Sequence, residues 1–418
     1  MKQSPWSWIP SLFGAEEIPA AIITYVALVM FLQIQTPPAV ATFYCGCLFL
    51  PWVLKSFLRD RVRRYGLYRR QIQWLQLAVT LVLMAVALTF ATYTPSGGRL
   101  FSFLFLLSFL TAWHELAARM YYECMLPAHE QPLWNRLKMF FSQAALVFTY
   151  GLMLMLVGAL QVLYRRVSPA WNEACYLVSG VFLCFALYHV LVLRRPSLAD
   201  DSLPGSALGA VRAEVRVLER IRRRPHWLLA VAVLALLLLP QSLMFYSRVL
   251  FLLAPVGEGG LGCTLQELAF AQGTVGVLGF SAGVVLGRLF LRRLTSVHGS
   301  WFQALALGAS PLVYLFMSIY PPASLASLCL ATLWAQSFFG LGLPVCMRFV
   351  RYISDNRYRN TINYLYIPLV ASVMLLPMAA SGWLVDTLGF PLFFLLNTLT
   401  APFAWLALLL TRAWDKLA

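Results

Sequence analysis

Ionisable residues interrupt apolar stretches of this sequence at three places, each a candidate for proton transfer or for binding a charged solute. The densest is His114-Glu115, followed by Arg119 and then Glu123. Glu115, Arg119 and Glu123 stand four residues apart, so they would share one face of a helix. Burial raises the pKa of a carboxyl group and lowers that of an imidazole, which makes Glu115 and His114 candidates for proton coupling. The alternative is a structural ladder of ion pairs near a helix end.

The other two places lie near residues 16 and 248. Glu16 and Glu17 stand with Pro19 at the entrance of an apolar stretch, where the dipole of a helix N-terminus would stabilise an acid. Glu17 or Glu16 is also a candidate substrate contact. Arg248 follows Pro240 in another apolar stretch, and we expect its guanidinium to face a water-filled cavity or an acidic group of a solute. The alternative for this arginine is snorkelling to the outer interface.

Neutral polar residues within apolar stretches are commonly hydrogen-bonding contacts between helices. Gln272 and Asn363 nevertheless join the candidate substrate or coupling residues, whereas we predict an interfacial position for His189. The eight cysteines are scattered without metal-ligand spacing, and the sequence contains no phosphate loop or nucleophile motif. We therefore expect no enzymatic activity, no metal and no cofactor.

The elements that carry these residues are predicted from composition. Hydrophobic residues make up 61% of the 418 residues and charged residues 11%, against about 25% charged in soluble proteins. Because backbone groups in lipid must hydrogen-bond internally, continuously apolar stretches of about 20 residues predict membrane-spanning helices. Twelve such stretches lie near residues 12–33, 38–57, 71–93, 100–121, 137–162, 171–193, 227–254, 265–290, 301–320, 323–346, 361–384 and 391–411. The predicted fold is an all-α polytopic membrane protein.

The connections between stretches alternate in charge. Arginine-rich segments follow the second, sixth, eighth and tenth stretches, whereas the segments after the first, third, seventh and ninth carry at most one charge. Arg165-Arg166, after the fifth stretch, is the exception. Since basic loops are held on the cytoplasmic side, we expect both termini in the cytoplasm and an inner-membrane location. The net charge of +16 then indicates contacts with anionic lipid, not with nucleic acid.

A polar segment divides the sequence midway. We predict six-helix bundles over 1–193 and 227–418, joined by a cytoplasmic linker over 194–226 that contains an amphipathic basic helix. Two similar halves around a central substrate site are typical of secondary transporters. In that architecture the first and seventh stretches border the cavity. We expect a monomer that binds a small solute and protons.

Two connections resemble the cytoplasmic loop motif of the major facilitator superfamily. The connection after the second stretch places Asp60 before a basic cluster that includes Arg61 and Arg64, and the equivalent place in the second half has Gly287 and Arg288. The resemblance implies a gating role for these five residues. Glycines there would also let two helices approach closely. The alternative is that these charges only orient the loops.

Further stretches are similar to AmpG-like muropeptide permeases of the same superfamily. They are 51–55, 267–276 and 381–394. The resemblance implies alternating-access transport of a sugar-peptide, which we expect to be proton-coupled. The sequence departs from the family in the fourth stretch, where Glu115 keeps an acid but Arg119 replaces a second one. A siderophore or another metabolite therefore remains an alternative cargo, and a membrane sensor or scaffold is an alternative of another class.

Overall fold

The structure is a computed structural model. It describes residues 4–55, 59, 62, 67–92, 95–127, 129–194, 227–293, 296–354, 359–403, 405, 406 and 409. Throughout these ranges the regular elements are helices, without a β-strand. The predicted linker helix lies outside the described residues, and so do Asp60, Arg61 and Arg64.

Within the described residues, twelve apolar helices follow one another, which confirms the predicted all-α polytopic fold. Ten are long and apolar enough to cross a bilayer, and two are shorter. They are α1 (Pro5–Gln33), α2 (Pro38–Val53), α3 (Tyr68–Ala91), α4 (Gly97–Met125), α5 (Leu133–Tyr164), α6 (Val167–Val192), α7 (Trp227–Leu253), α8 (Leu265–Leu289), α9 (Ser296–Ile319), α10 (Leu325–Ser354), α11 (Arg359–Leu388) and α12 (Phe390–Phe403).

The helices group into two compact units. The N-terminal unit comprises Met1–Thr36 and Leu48–Glu214, and the C-terminal unit comprises Pro37–Cys47 and Val215–Ala418. The first part of α2 therefore groups with the C-terminal helices. Its contacts with α11 explain this, because the backbone N–H of Gly382 donates a hydrogen bond to Thr42 Oγ1 at 3.2 Å.

Aromatic side chains fill the core of the N-terminal unit. Trp8 of α1 is fully buried and packs edge-on against Tyr121 of α4, with ring centroids 5.3 Å apart. Phe90 of α3 stacks on Trp171 of α6 at 5.7 Å. Aromatic pairs in these geometries add about 0.5–1.5 kcal/mol each beyond their buried area. They hold α1, α3, α4 and α6 together around the polar residues described below.

A glycine face brings α8 and α10 into backbone contact in the C-terminal unit. Gly279, Gly283 and Gly287 stand four residues apart on α8. A Cβ atom at Gly283 would lie 2.2 Å from the carbonyl oxygen of Ser337, and one at Gly287 would lie 2.7 Å from that of Leu341. Such close approach is possible only for residues without a side chain. The expected close approach of helices at these glycines is confirmed.

In the part of the chain that the structure describes, three helices contain π-helical stretches. These are Ile22–Val26 in α1, Val147–Met153 in α5 and Ala269–Gly276 in α8. Tyr25 and Tyr150, from the first two stretches, stack with ring centroids 5.1 Å apart. π-Helical stretches occur frequently at functional sites. The stretch in α1 follows the buried Glu16, the stretch in α5 contains the buried Thr149, and the stretch in α8 contains the buried Gln272.

Candidate functional site

Two acids of α1 meet two polar residues of α5 inside the N-terminal unit. Lys138 Nζ contacts Glu16 Oε1 at 2.7 Å, and Ser142 Oγ donates a hydrogen bond to Glu17 Oε1 at 2.8 Å. Lys138 and Ser142 are four residues apart, so one face of α5 supplies both partners. Lys138 Nζ also lies 5.1 Å from the centroid of the Phe13 ring.

The helix dipole does not account for the acids of α1. The α-helical part of α1 begins at Ile9, so Glu16 and Glu17 lie two turns inside it, whereas the dipole acts within the first turn. The predicted position at the helix entrance is wrong because the helix begins before the apolar stretch near residue 12. Lys138 was not among the candidates, although its spacing from Ser142 on an apolar face was visible in the sequence.

Glu115 of α4 takes its partners from the segment at and just beyond the end of α2. Its Oε1 forms an ion pair with Lys55, and its Oε2 accepts a hydrogen bond from Trp52 Nε1 at 3.2 Å. Arg119 Nε instead contacts Glu123 Oε1 at 3.4 Å, on a more exposed part of α4. The three residues therefore do not act as one ladder, because Glu115 is engaged by residues distant in sequence.

These contacts form one charge cluster, which we define as Glu16, Glu17, Lys55, Glu115 and Lys138. Electrostatic interactions connect Lys138 with all three acids and Glu115 with Glu16. Three carboxylates and two ammonium groups carry a net charge of −1. In a low-dielectric interior an uncompensated charge is costly, so uptake of one proton would neutralise the cluster. The arrangement is chemically suited to binding and releasing a proton.

A chain of buried polar side chains lies beside the charge cluster. Gln76 of α3 contacts His114 Nε2 and His189 Nδ1, both at 3.0 Å, and His189 Nε2 contacts Ser11 Oγ at 2.9 Å. Ser11 Oγ in turn donates to the carbonyl oxygen of Trp8 at 3.1 Å. His189 is fully buried against α1 and α3, while its interfacial depth in the membrane stays a prediction. The chain connects α1, α3, α4 and α6.

The hydrogen bond from Ser11 Oγ to the carbonyl oxygen of Trp8 constrains which groups of the chain donate and which accept. If the Ser11 hydroxyl donates to a carbonyl and both imidazoles are neutral, His189 Nε2 must donate to Ser11, and His189 Nδ1 must accept from the amide of Gln76. The Gln76 oxygen then accepts from His114 Nε2. This orientation turns the Gln76 amide over, which interchanges its oxygen and nitrogen in the same two contacts. His114 Nδ1 is then an acceptor, and it has no hydrogen-bond partner among the described residues.

The C-terminal unit contains a second polar group, centred on Arg248 of α7. Its side chain is only 5% exposed, which excludes snorkelling to the surface, and its guanidinium lies 5.3 Å from the centroid of the Phe245 ring. Gln272 Nε2 of α8 donates to the hydroxyl of Tyr314 at 2.8 Å, and Gln336 Nε2 donates to Gln272 Oε1 at 3.2 Å. Arg248 lies close enough to Tyr314 for an electrostatic interaction.

Comparison with known proteins bears on the fold. No protein-family model and no curated protein sequence matches this chain. Among solved structures, the nucleoside transporter NupG superimposes with a TM-score of 0.68 at 12% identity and covers 98% of each chain. A bacterial homologue of the human lysosomal transporter Spinster gives 0.68 at 14% identity over 98% of this chain and 96% of that one. The D-xylose–proton symporter gives 0.63 at 13% identity over 95% and 96%. The chain has the major facilitator fold.

The remaining candidates take these places in the major facilitator fold. Gly287 packs on α10, and Arg288 beside it is exposed on α8. Asn363 lies in α11, but its side chain is not described. Asp60, Arg61 and Arg64 lie outside the described residues. The structure thus joins His114, Glu115 and the acids of α1 in one unit, and Gln272 and Arg248 in the other. Within the described ranges, no three His, Cys, Asp or Glu residues are placed to hold a metal ion.

Proposed function

We propose that this protein is a secondary transporter that moves a small solute across the membrane by alternating access and couples this movement to protons. The observation that carries the proposal is the charge cluster, in which Glu16 and Lys55 are buried and Glu17, Glu115 and Lys138 are partly buried among apolar helices. Ionisable groups at such depth are costly and are commonly functional. Two proteins of similar fold are a nucleoside transporter and a D-xylose–proton symporter, which supports the same class.

Glu115 is the proposed site of proton exchange. Each of its carboxylate oxygens is held by one group, Lys55 or Trp52, and both groups belong to the segment at the end of α2. Protonation removes the negative charge that holds the Lys55 ammonium, so this contact weakens when the proton binds. Loss of that contact would let the end of α2 and α4 separate. A proton and a change of conformation are linked in this way.

The experiment uses purified protein in proteoliposomes with an imposed pH gradient and an internal pH-sensitive dye. A muropeptide, a ferric siderophore and an acylated metabolite are added separately. We expect at least one of them to move protons with the wild type, and Glu115→Gln to abolish this movement. Glu123→Gln is the matched control, because Glu123 lies on the same helix outside the charge cluster.

Two outcomes would reject the proposal. Solute uptake that is unchanged after the gradient is collapsed would remove proton coupling. Normal coupled uptake by a folded Glu115→Gln variant would remove the assigned role of Glu115. Specific binding of a solute with no uptake under any gradient would favour a membrane sensor instead.

The cargo that we propose first is a muropeptide-like sugar-peptide. The resemblance of 51–55, 267–276 and 381–394 to muropeptide permeases supports it, and a siderophore is the alternative. We propose an inner-membrane monomer with both termini in the cytoplasm, on the basis of the alternating basic connections. Reporter fusions at each terminus test the orientation: alkaline phosphatase activity at either one would contradict it.

A further inference from the structure

Arg248 is a buried cation without an acidic partner in the described part of the chain. The described residues of the C-terminal unit offer it the face of Phe245 and an electrostatic interaction with Tyr314, but no carboxylate within ion-pair distance. Its Nε also has no hydrogen-bond partner there. In this respect it differs from Lys55 and Lys138, which both pair with glutamates. A buried charge left unpaired is strongly destabilising, so its presence needs a compensating group from outside the described chain.

Tyr314 supplies a second donor at the same place. Its hydroxyl oxygen accepts a hydrogen bond from Gln272, which is itself held by Gln336. With the Gln272 amide oriented in this way, the hydroxyl proton of Tyr314 is available to a further acceptor, and the side chain is 1% exposed. A buried hydroxyl usually finds a partner. A guanidinium with an unpartnered Nε–H, in electrostatic interaction with a phenol, is complementary to an oxyanion.

The ring of Phe245 explains how the guanidinium is presented. A cation over an aromatic face is held by the ring quadrupole, while the N–H groups stay in the guanidinium plane. The planar fork of an arginine matches the oxygens of a carboxylate or a phosphate. Gln272 and Gln336 hold Tyr314 by hydrogen bonds, and both are uncharged.

We propose that Arg248 and Tyr314 form an oxyanion subsite, which binds a carboxylate or phosphate group of the transported solute. The inference rests on the proposed function, because it assigns the chemical class of the cargo. Arg248 supplies the charge and Tyr314 supplies one directed hydrogen bond. A neutral sugar or nucleoside lacks the group that this subsite requires.

Ligand binding to the purified full-length protein in detergent tests the subsite. The probes are matched pairs: glucuronate and glucose, alanyl-alanine and its C-terminal amide, uridine 5′-monophosphate and uridine, and a muropeptide and its carboxamide. The first two pairs and the muropeptide pair report carboxylate binding, and the nucleotide pair reports phosphate binding. We expect an anionic member to raise the apparent melting temperature by about 3 °C at one hundred times its Kd, and its neutral partner to have no effect.

Three variants separate binding from folding. Arg248→Gln should weaken anion binding about 10- to 150-fold, as expected for the loss of a charged hydrogen-bonded contact. Tyr314→Phe should weaken it less, and Arg166→Gln, at an exposed arginine, should not change it. In the absence of ligand, Arg248→Gln should melt at the same or a higher temperature than the wild type, because it removes an uncompensated buried charge.

The proposal would be overturned if neutral members bind as well as anionic ones, or if no anionic member binds. It would also be overturned if Arg248→Gln lowers the melting temperature of the free protein and leaves anion binding intact. Failure of the proposed function looks different. Anion binding that depends on Arg248, without any gradient-driven uptake, would reject transport and keep the subsite. Coupled uptake that is unaffected by Arg248→Gln would keep transport and reject the subsite.

Discussion

The contact between α8 and α10 predicts a large effect of the smallest possible substitution, Gly283→Ala. The added Cβ atom would stand 2.2 Å from the carbonyl oxygen of Ser337 and 2.9 Å from the amide nitrogen of Leu341, and both are backbone atoms. Backbone atoms cannot rotate away as a side chain does. The two helices must therefore move apart by about 1 Å, which forfeits a quarter to a half of the dispersion energy of the contacts along this interface.

The expected loss is about 3 kcal/mol, near the upper end of the range for overpacking a close-packed core. Gly180→Ala is the matched control, because Gly180 lies within α6 and a Cβ atom added there would meet no atom within 4 Å. Replacing a helical glycine by alanine at such a site stabilises by about 0.5–1 kcal/mol. Gly283→Ala should therefore melt about 3–4 °C below the wild type, and Gly180→Ala slightly above it.

Thermal unfolding of purified protein in detergent, followed by tryptophan fluorescence at one fixed scan rate, measures both variants. The fixed rate matters because irreversible unfolding makes the apparent midpoint depend on it. Equal midpoints for Gly283→Ala and Gly180→Ala would refute the reasoning, since they would show that α8 and α10 are not in backbone contact at this glycine.

Two further substitutions probe the polar groups of the N-terminal unit. Lys138→Met should lower the free energy of unfolding by about 2–4 kcal/mol, because Glu16 stays buried without its cation. Adding Glu16→Gln should restore at least half of the loss. Equal losses in the single and double variants, measured by thermal unfolding, would contradict a direct pair. Gln76→Leu should lower the free energy of unfolding by about 2–4 kcal/mol, because each of two buried imidazoles loses a hydrogen-bond partner. Faster hydrogen exchange of the backbone amides around His189 would accompany the loss.

Helix number and type were predictable from the sequence for a simple physical reason. Lipid leaves the backbone no alternative to internal hydrogen bonds, so apolar length alone identifies a spanning helix. The close approach at Gly287 was predictable as well, because glycines at helical spacing form a flat face. Individual polar residues in apolar stretches, such as Glu115 and Arg248, were equally visible, since their burial is costly wherever they lie.

Partners were harder to predict than positions. Glu115 pairs with Lys55 across 60 residues of sequence, while the pairing suggested by helical spacing was with Arg119. Spacing identifies neighbours on one helix but not the helix that packs against it. Lys138 was missed for the same reason, because its role follows from the packing of α5 on α1. His189 lay near a basic segment in sequence, but its contacts follow from the packing of α6 against α1 and α3.

The π-helical stretches in α1, α5 and α8 also affect how sequences with this fold are aligned. A turn of π-helix holds about one residue more than a turn of α-helix. Since one residue corresponds to a rotation of about 100° around an α-helix, the apolar stripe after each stretch is rotated relative to the stripe before it. A chain that lacks the extra residue therefore needs a one-residue gap inside a helix. Within Ala269–Gly276, that gap would decide which residue of another chain is paired with Gln272.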